Sequence, residues 1–209
     1  MDQDNISTVE VIQALQEVGL SDDIIAYLVP ILAYESRENG VPYVLTSKDE
    51  LSDSYGLGQV NVKSMESAIW MALTEAGIEI PGSTEQQKSQ WNRAGYDESE
   101  KDVRDFTEEQ EKFVIDKLNN GDLKLHAAIV KHMIHQKQLE NKGMSEMDAI
   151  ADLYVLTPKK FDVNNTDFTQ FPEESAIEAQ EFKTGIDAEV EKYYDKVSTD
   201  SGQAVDTLS

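Results

Sequence analysis

The spacing of the apolar residues constrains this chain most. They recur every three or four positions, in blocks that open at a side-chain oxygen able to cap a helix. Ser7 and Glu10 have the spacing of a capping box, and Val11, Ile12, Leu15 and Val18 follow before Gly19 stops the run. Ser21 opens a second block, with Asp22 and Asp23 in its first turn and Ile24, Leu28 and Ile31 along one face. Pro30 inside this block predicts a kink or a restart. Met65, Ala68, Ile69, Ala72 and Leu73 make a third helix that ends near Gly77. Thr107 with Gln110 opens a fourth, through Phe113, Val114 and Leu118. Leu123, Ala127, Val130 and Ile134 line a longer helix from about 122 to 141, closed at Gly143. Ser145 and Asp148 start the last, through Ala149, Ile150, Leu153 and Tyr154, and Thr157-Pro158 ends it. The expected fold class is mainly α.

Three stretches break the pattern. Residues 39–59 are rich in Gly, Ser and Asp around a β-prone piece, Tyr43-Val44-Leu45-Thr46, which reads as a loop or small hairpin. Residues 81–105 are polar and acidic and read as an insertion. Residues 159–185 read as loops, Ile186 to Tyr194 as a short helix, and the last fifteen residues as mobile or pinned by a partner.

Composition narrows the function classes. The 209 residues hold 41 Asp and Glu against 18 Lys and Arg, a net charge of -23. Such a surface repels nucleic acid and anionic membranes, so no nucleic-acid partner is expected. It fits solubility, a salty habitat or docking onto a basic partner. No apolar run is long enough for a membrane helix, so no membrane insertion is expected. Met1 to Thr8 is polar and acidic and does not read as a signal peptide. Without cysteine there is neither a disulfide framework nor a thiolate metal site. His126, His132 and His135 flank an apolar stripe with no carboxylate scheme beside them, and read as solvated helix positions rather than metal ligands. Neither metal nor other cofactor is expected. The acidic runs 97–100 and 108–111 read as solvated faces.

Glu35 is the residue with chemical promise. It continues the stripe of Ile24, Leu28 and Ile31, so it should point inward. Burial disfavours the charged form of a carboxyl group and keeps it protonated closer to neutrality. That is the form needed to donate a proton to a glycosidic oxygen. The Gly- and Ser-rich stretch after it suits the lining of a cleft. The plain alternative is a boundary residue with its head in water.

Ala33-Tyr34-Glu35-Ser36 resembles the E-S motif of the lytic transglycosylase and goose-type lysozyme superfamily. Ser54-Tyr55-Gly56-Leu57-Gly58-Gln59-Val60-Asn61 resembles its second motif, with Gly58 where Met is usual. Gln59 follows Glu35 by 24 positions, a gap similar to the goose-type arrangement. A third motif, Tyr-Asn after an Ala-rich helix, is matched by Tyr154 alone, since Val155 follows it. Trp91-Asn92-Arg93-Ala94-Gly95 is superficially similar to that motif but lies too early.

The resemblance covers about Ser21 to Leu156 and implies a lysozyme-like fold with a short β-hairpin beside the catalytic cleft. On that basis 1–20 is an N-terminal helix and extension, 21–158 the catalytic domain, and 159–209 a partly flexible C-terminal extension. The resemblance implies Glu35 as catalytic acid and then base, with Ser36 orienting it. It implies Ser36, Ser54, Tyr55, Gly56, Leu57, Gln59, Asn61 and Tyr154 as substrate-binding residues. The reaction implied is cleavage of the β-1,4 bond between N-acetylmuramic acid and N-acetylglucosamine in peptidoglycan glycan strands. An inverting hydrolase also needs a second carboxylate, for which Asp49 stands first, ahead of Glu50 and Asp53. Goose-type enzymes carry Asp near the position of Asn61, and its loss tilts the reading toward the transglycosylase. Trp70, Trp91 and Tyr96 are candidates to stack on sugars, Trp70 being the one more suited to the core. A chain of this kind resembles the muralytic domains carried on phage particles, with other virion proteins as partners. Two rivals remain: a structural virion protein without activity, and a glycan-binding module without turnover.

Overall fold

In a computed structural model, ten helices and three two-residue strands are described, over residues 6–46, 48–49, 54–92, 101–120, 122–155, 157–161 and 173–206. The helices are α1 (Thr8–Glu17), α2 (Asp22–Glu35), α3 (Glu66–Glu75), α4 (Glu85–Trp91), α5 (Lys101–Arg104), α6 (Glu108–Asn119), α7 (Leu123–Glu140), α8 (Glu146–Leu153), α9 (Thr157–Lys160) and α10 (Glu173–Asp206). The strands β1 (Lys48–Asp49), β2 (Ser54–Tyr55) and β3 (Val60–Asn61) form one antiparallel sheet in sequence order. Lys48 pairs with Tyr55, Asp49 with Ser54, Ser54 with Asn61 and Tyr55 with Val60.

The cap signals set most helix starts. Ser7–Glu10 and Thr107–Gln110 are closed capping boxes, and the side chains of Asp122 and Ser145 accept from backbone amides of the first turns they precede. Ser21 is an N-cap without a side-chain bond. Pro30 does not divide α2. It lies buried inside an unbroken helix and forgoes the backbone bond it would otherwise donate to Ala26. The β-prone stretch 43–46 is not a strand; the sheet uses the residues after it.

Helix α7 explains the core. Its Ala127, Val130 and Ile134 join a cluster with α1, α2, α8 and α10, including Ile12, Leu28 and Ile150. Its Leu125, Ala128, Ile129 and Met133 join a second cluster with α3 and α6, including Ile69, Leu73 and Val114. A helix apolar on two faces has to lie between two layers. The histidines follow from this. His126 and His132 are buried, not solvated, because the second layer covers the flank on which they sit; His135 is exposed.

Two stretches differ from expectation. Within 81–105, Thr84 and Gln87 close a capping box for α4, and Trp91 sits fully buried against Phe106 and Trp70. Its indole N–H donates to the Arg104 carbonyl at 2.7 Å. Part of this stretch, Gln87, Gln90, Trp91 and Arg104, is therefore buried, and Trp91 is no sugar platform; Trp70 is the half-buried one, and Tyr96 lies outside the described residues. At the other end, residues 173–206 form one helix where loops and a short helix were expected. Ala179, Ile186 and Val190 of α10 are buried in the first cluster, and Ala176 is buried as well. Tyr193 and Tyr194 donate to Gln16 and Asp22 at 3.0 and 3.1 Å, tying α10 across α1 and the start of α2.

Candidate active site

Glu35 is the last residue of α2 and half-buried. The Thr157 hydroxyl, at the first residue of α9, donates to one of its carboxylate oxygens. Thr157 is itself almost fully buried, and its amide donates to the Tyr154 carbonyl at 3.0 Å. The turn between α8 and α9 thus delivers one hydroxyl, that of Thr157, to the carboxylate. Burial first, and the Glu35 charge second, push the Tyr154 phenol well above its ordinary range, so it stays a donor. It donates to the Gly58 carbonyl at 3.2 Å.

The second motif is a tight turn pressed onto α7. The backbone amide of Gln59 donates to the Gly56 carbonyl at 3.0 Å, and the Gln59 side-chain amide reaches the same oxygen at 3.3 Å. Gly56 and Gln59 both have left-handed backbone, φ +67° and +46°. The second is a strained conformation for glutamine, of the kind found at functional sites. A Cβ on Gly56 would lie 2.1 Å from the His126 ring, and one on Gly58 would lie 2.6 Å from Val130. His126 and Val130 are one helical turn apart on α7, so the turn backbone rests on the helix at two successive points. That contact accounts for Gly58, where the resembled motif has Met.

The expected site residues therefore fall into groups. Tyr154 feels the Glu35 charge and is bonded to Gly58, a residue not among those expected. Gln59 and Asn61 are half-buried at the rim, with the Asn61 side-chain oxygen accepting from Lys63 N–H at 3.0 Å. Ser54, Tyr55, Gly56 and Leu57 are buried and build the turn and sheet. Ser36 does not orient Glu35: it is fully buried, and its hydroxyl donates to the Leu32 carbonyl at 2.6 Å. A serine at a helix C-terminus has that carbonyl within reach, and here it takes it. Asp49 lies in β1, but its side chain is outside the described residues, as are Glu50 and Asp53.

Two further residues were not anticipated. Thr157 was expected only to end a helix, and no local pattern distinguishes it. His126 carried a readable sign, since it follows Leu125 and precedes Ala127 on a helix apolar on both sides. Among the described residues no group of three or more His, Asp or Glu could hold a metal ion. None of their helices is long and apolar enough to cross a membrane. A cavity of about 350 Å³ is lined by Lys63, Met65, Glu66, Met133 and Leu153, among others, and by none of Glu35, Gly58, Tyr154 and Thr157.

Comparisons with protein-family models, with curated proteins and with solved structures found no match to this chain.

Proposed function

We propose that this chain has a lysozyme-like catalytic unit and cleaves the β-1,4 bond between N-acetylmuramic acid and N-acetylglucosamine as a lytic transglycosylase. One observation carries the reading: segments about 120 residues apart in sequence meet at one carboxylate. Glu35 receives the Thr157 hydroxyl and acts electrostatically on Tyr154, which holds the Gly58 turn. That convergence of an acid, a buried phenol and a glycine turn supports the family reading over an incidental motif.

Protonated Glu35 donates its proton to the bridging oxygen as the glycosidic bond breaks, leaving an oxocarbenium-like muramoyl centre. The carboxylate then takes the proton from the muramoyl 6-hydroxyl as that oxygen bonds to the centre. No water is consumed, and Glu35 ends as it began. Thr157 holds the carboxylate in one orientation through both steps. The setting proposed is a phage particle that opens the host cell wall, with other virion proteins as partners. The large negative charge suits a basic docking partner.

One observation favours the rival of an inactive, structural or glycan-binding protein. Val155 is exposed where the resembled motif has Asn. Mass spectrometry of peptidoglycan treated with the wild type and with Glu35→Gln separates the cases. Anhydromuramoyl fragments from the wild type alone are the expected result. Reducing muramoyl ends would make the protein a hydrolase with a second carboxylate, and no release by either protein would leave the rival.

A further inference from the structure

We propose that His126 is a positioning residue for the catalytic turn, acting as the neutral Nε2–H tautomer through a bond from Leu57 N–H to Nδ1. This rests on the reading of Glu35 and the Gly56–Gln59 turn as the active site. His126 is fully buried, and both ring nitrogens are engaged. Nε2 lies 3.0 Å from the Leu118 carbonyl, which only accepts, so Nε2 carries the proton. Nδ1 lies 3.4 Å from Leu57 N, which only donates, so Nδ1 must be bare. The two partners dictate one tautomer and exclude the cation, which would set two N–H groups against each other.

The placement makes this more than core filling. The ring lies flush under Gly56, while Leu57 heads into Gly58, whose carbonyl takes the Tyr154 hydroxyl. Hydrogen bonds run from the His126 ring through the turn backbone to the Tyr154 hydroxyl, and the Glu35 charge acts on that phenol. The opposite nitrogen is tied to the end of α6, so the imidazole bridges α6 to the turn across α7. Leu118 and Leu57 bring no charge to it; Asp122, the N-cap of its own helix, is the charged group that acts on the ring. An apolar side chain of the same size would fill the space and leave the Leu57 amide buried without an acceptor.

The test uses the full chain labelled with 15N. Long-range proton–nitrogen correlation at neutral pH should show His126 with a bare Nδ1 and a protonated Nε2. Amide exchange at Leu57 should be slow in the wild type and in His126→Asn, whose side-chain oxygen replaces Nδ1. It should be roughly tenfold faster in His126→Leu, the worth of one hydrogen bond. An Nδ1–H tautomer, a cationic ring, or equal Leu57 protection in all three proteins would overturn the assignment. If His126→Leu does not fold, the wild-type tautomer and the Asn variant still decide. If the wild type releases no muropeptides, the catalytic reading fails, while these signals still judge His126.

Discussion

At the residue scale, the site depends on hydroxyls that the carboxylate itself does not reveal. Thr157→Val keeps the shape and removes the donor to Glu35. A hydrogen bond to a charged group is worth about 1.5–3 kcal/mol, so kcat for muropeptide release should fall by roughly tenfold to a hundredfold, with KM little changed. An unchanged kcat would remove Thr157 from the machinery. Tyr154→Phe deletes only the hydroxyl that holds the Gly58 carbonyl, and urea unfolding should show a loss of about 1 kcal/mol with an unaltered m-value. Gly58→Ala presses a methyl against Val130 and the Tyr154 hydroxyl, and should cost about 1–3 kcal/mol by the same measurement. Glu35 and Tyr154 stand out in the sequence through the motifs they resemble, whereas Gly58 departs from that pattern and its contact with Val130 comes only from the fold. Thr157 was not legible, because its role comes from a turn after α8 that brings it back to α2, and no local pattern encodes such a return. Ser36 was misread because a hydroxyl next to a carboxylate in sequence has a nearer acceptor in its own helix.

At the element scale, helices with a clear stripe were readable: α1, α6, α7 and α8, which also have capped starts, and α3, which has none, begin and end within a few residues of expectation. What escaped were helices whose signal is shared with neighbours. The Thr84–Gln87 box was present in the sequence, but α4 buries Gln87, Gln90 and Trp91, a mostly polar face satisfied by other chain segments. Helix α10 carries Ala176, Ala179, Ile186 and Val190 at helical spacing, yet Gly185 interrupts it and most of its other residues are polar. Alanine supplies two of its buried positions, which a search for large apolar residues overlooks. Ile186→Ala in α10 should cost about 2–4 kcal/mol in urea unfolding if this helix is part of the core. A value near zero would restore the reading of a partly flexible C-terminal extension.

At the scale of the whole molecule, charge and buried histidine act together on stability. Burial, outweighing the Leu118 carbonyl and Asp122, holds His126 below its ordinary value of 6.5. Burial, outweighing Glu75, likewise holds His132 below 6.5, with its Nε2 3.1 Å from the Glu75 carboxylate. A histidine depressed in the fold binds its proton more readily when unfolded. The unfolded chain therefore takes up more protons as pH falls below 6.5, and stability is lost across that window and downward. Thermal unfolding followed from pH 8 to 5.5 should show a falling Tm; His126→Asn and His132→Asn should each flatten the slope. A Tm that rises over this range would mean that relief of the repulsion among 41 acidic residues outweighs the histidines.

The seam between the first and last helices has a consequence for how the molecule is made. Thr8 donates to Glu189, and Tyr193 to Gln16, contacts that span more than 170 residues of chain. Helix α2 is synthesised early, but the face that α10 covers, with Tyr34 packed on Phe182, stays bare until the final helix leaves the ribosome. A nascent chain halted before about residue 190 therefore displays an uncovered apolar helix ending in Glu35. Fragments released without α10 should be sticky and chaperone-bound, whereas the chain released with α10 should have that face covered.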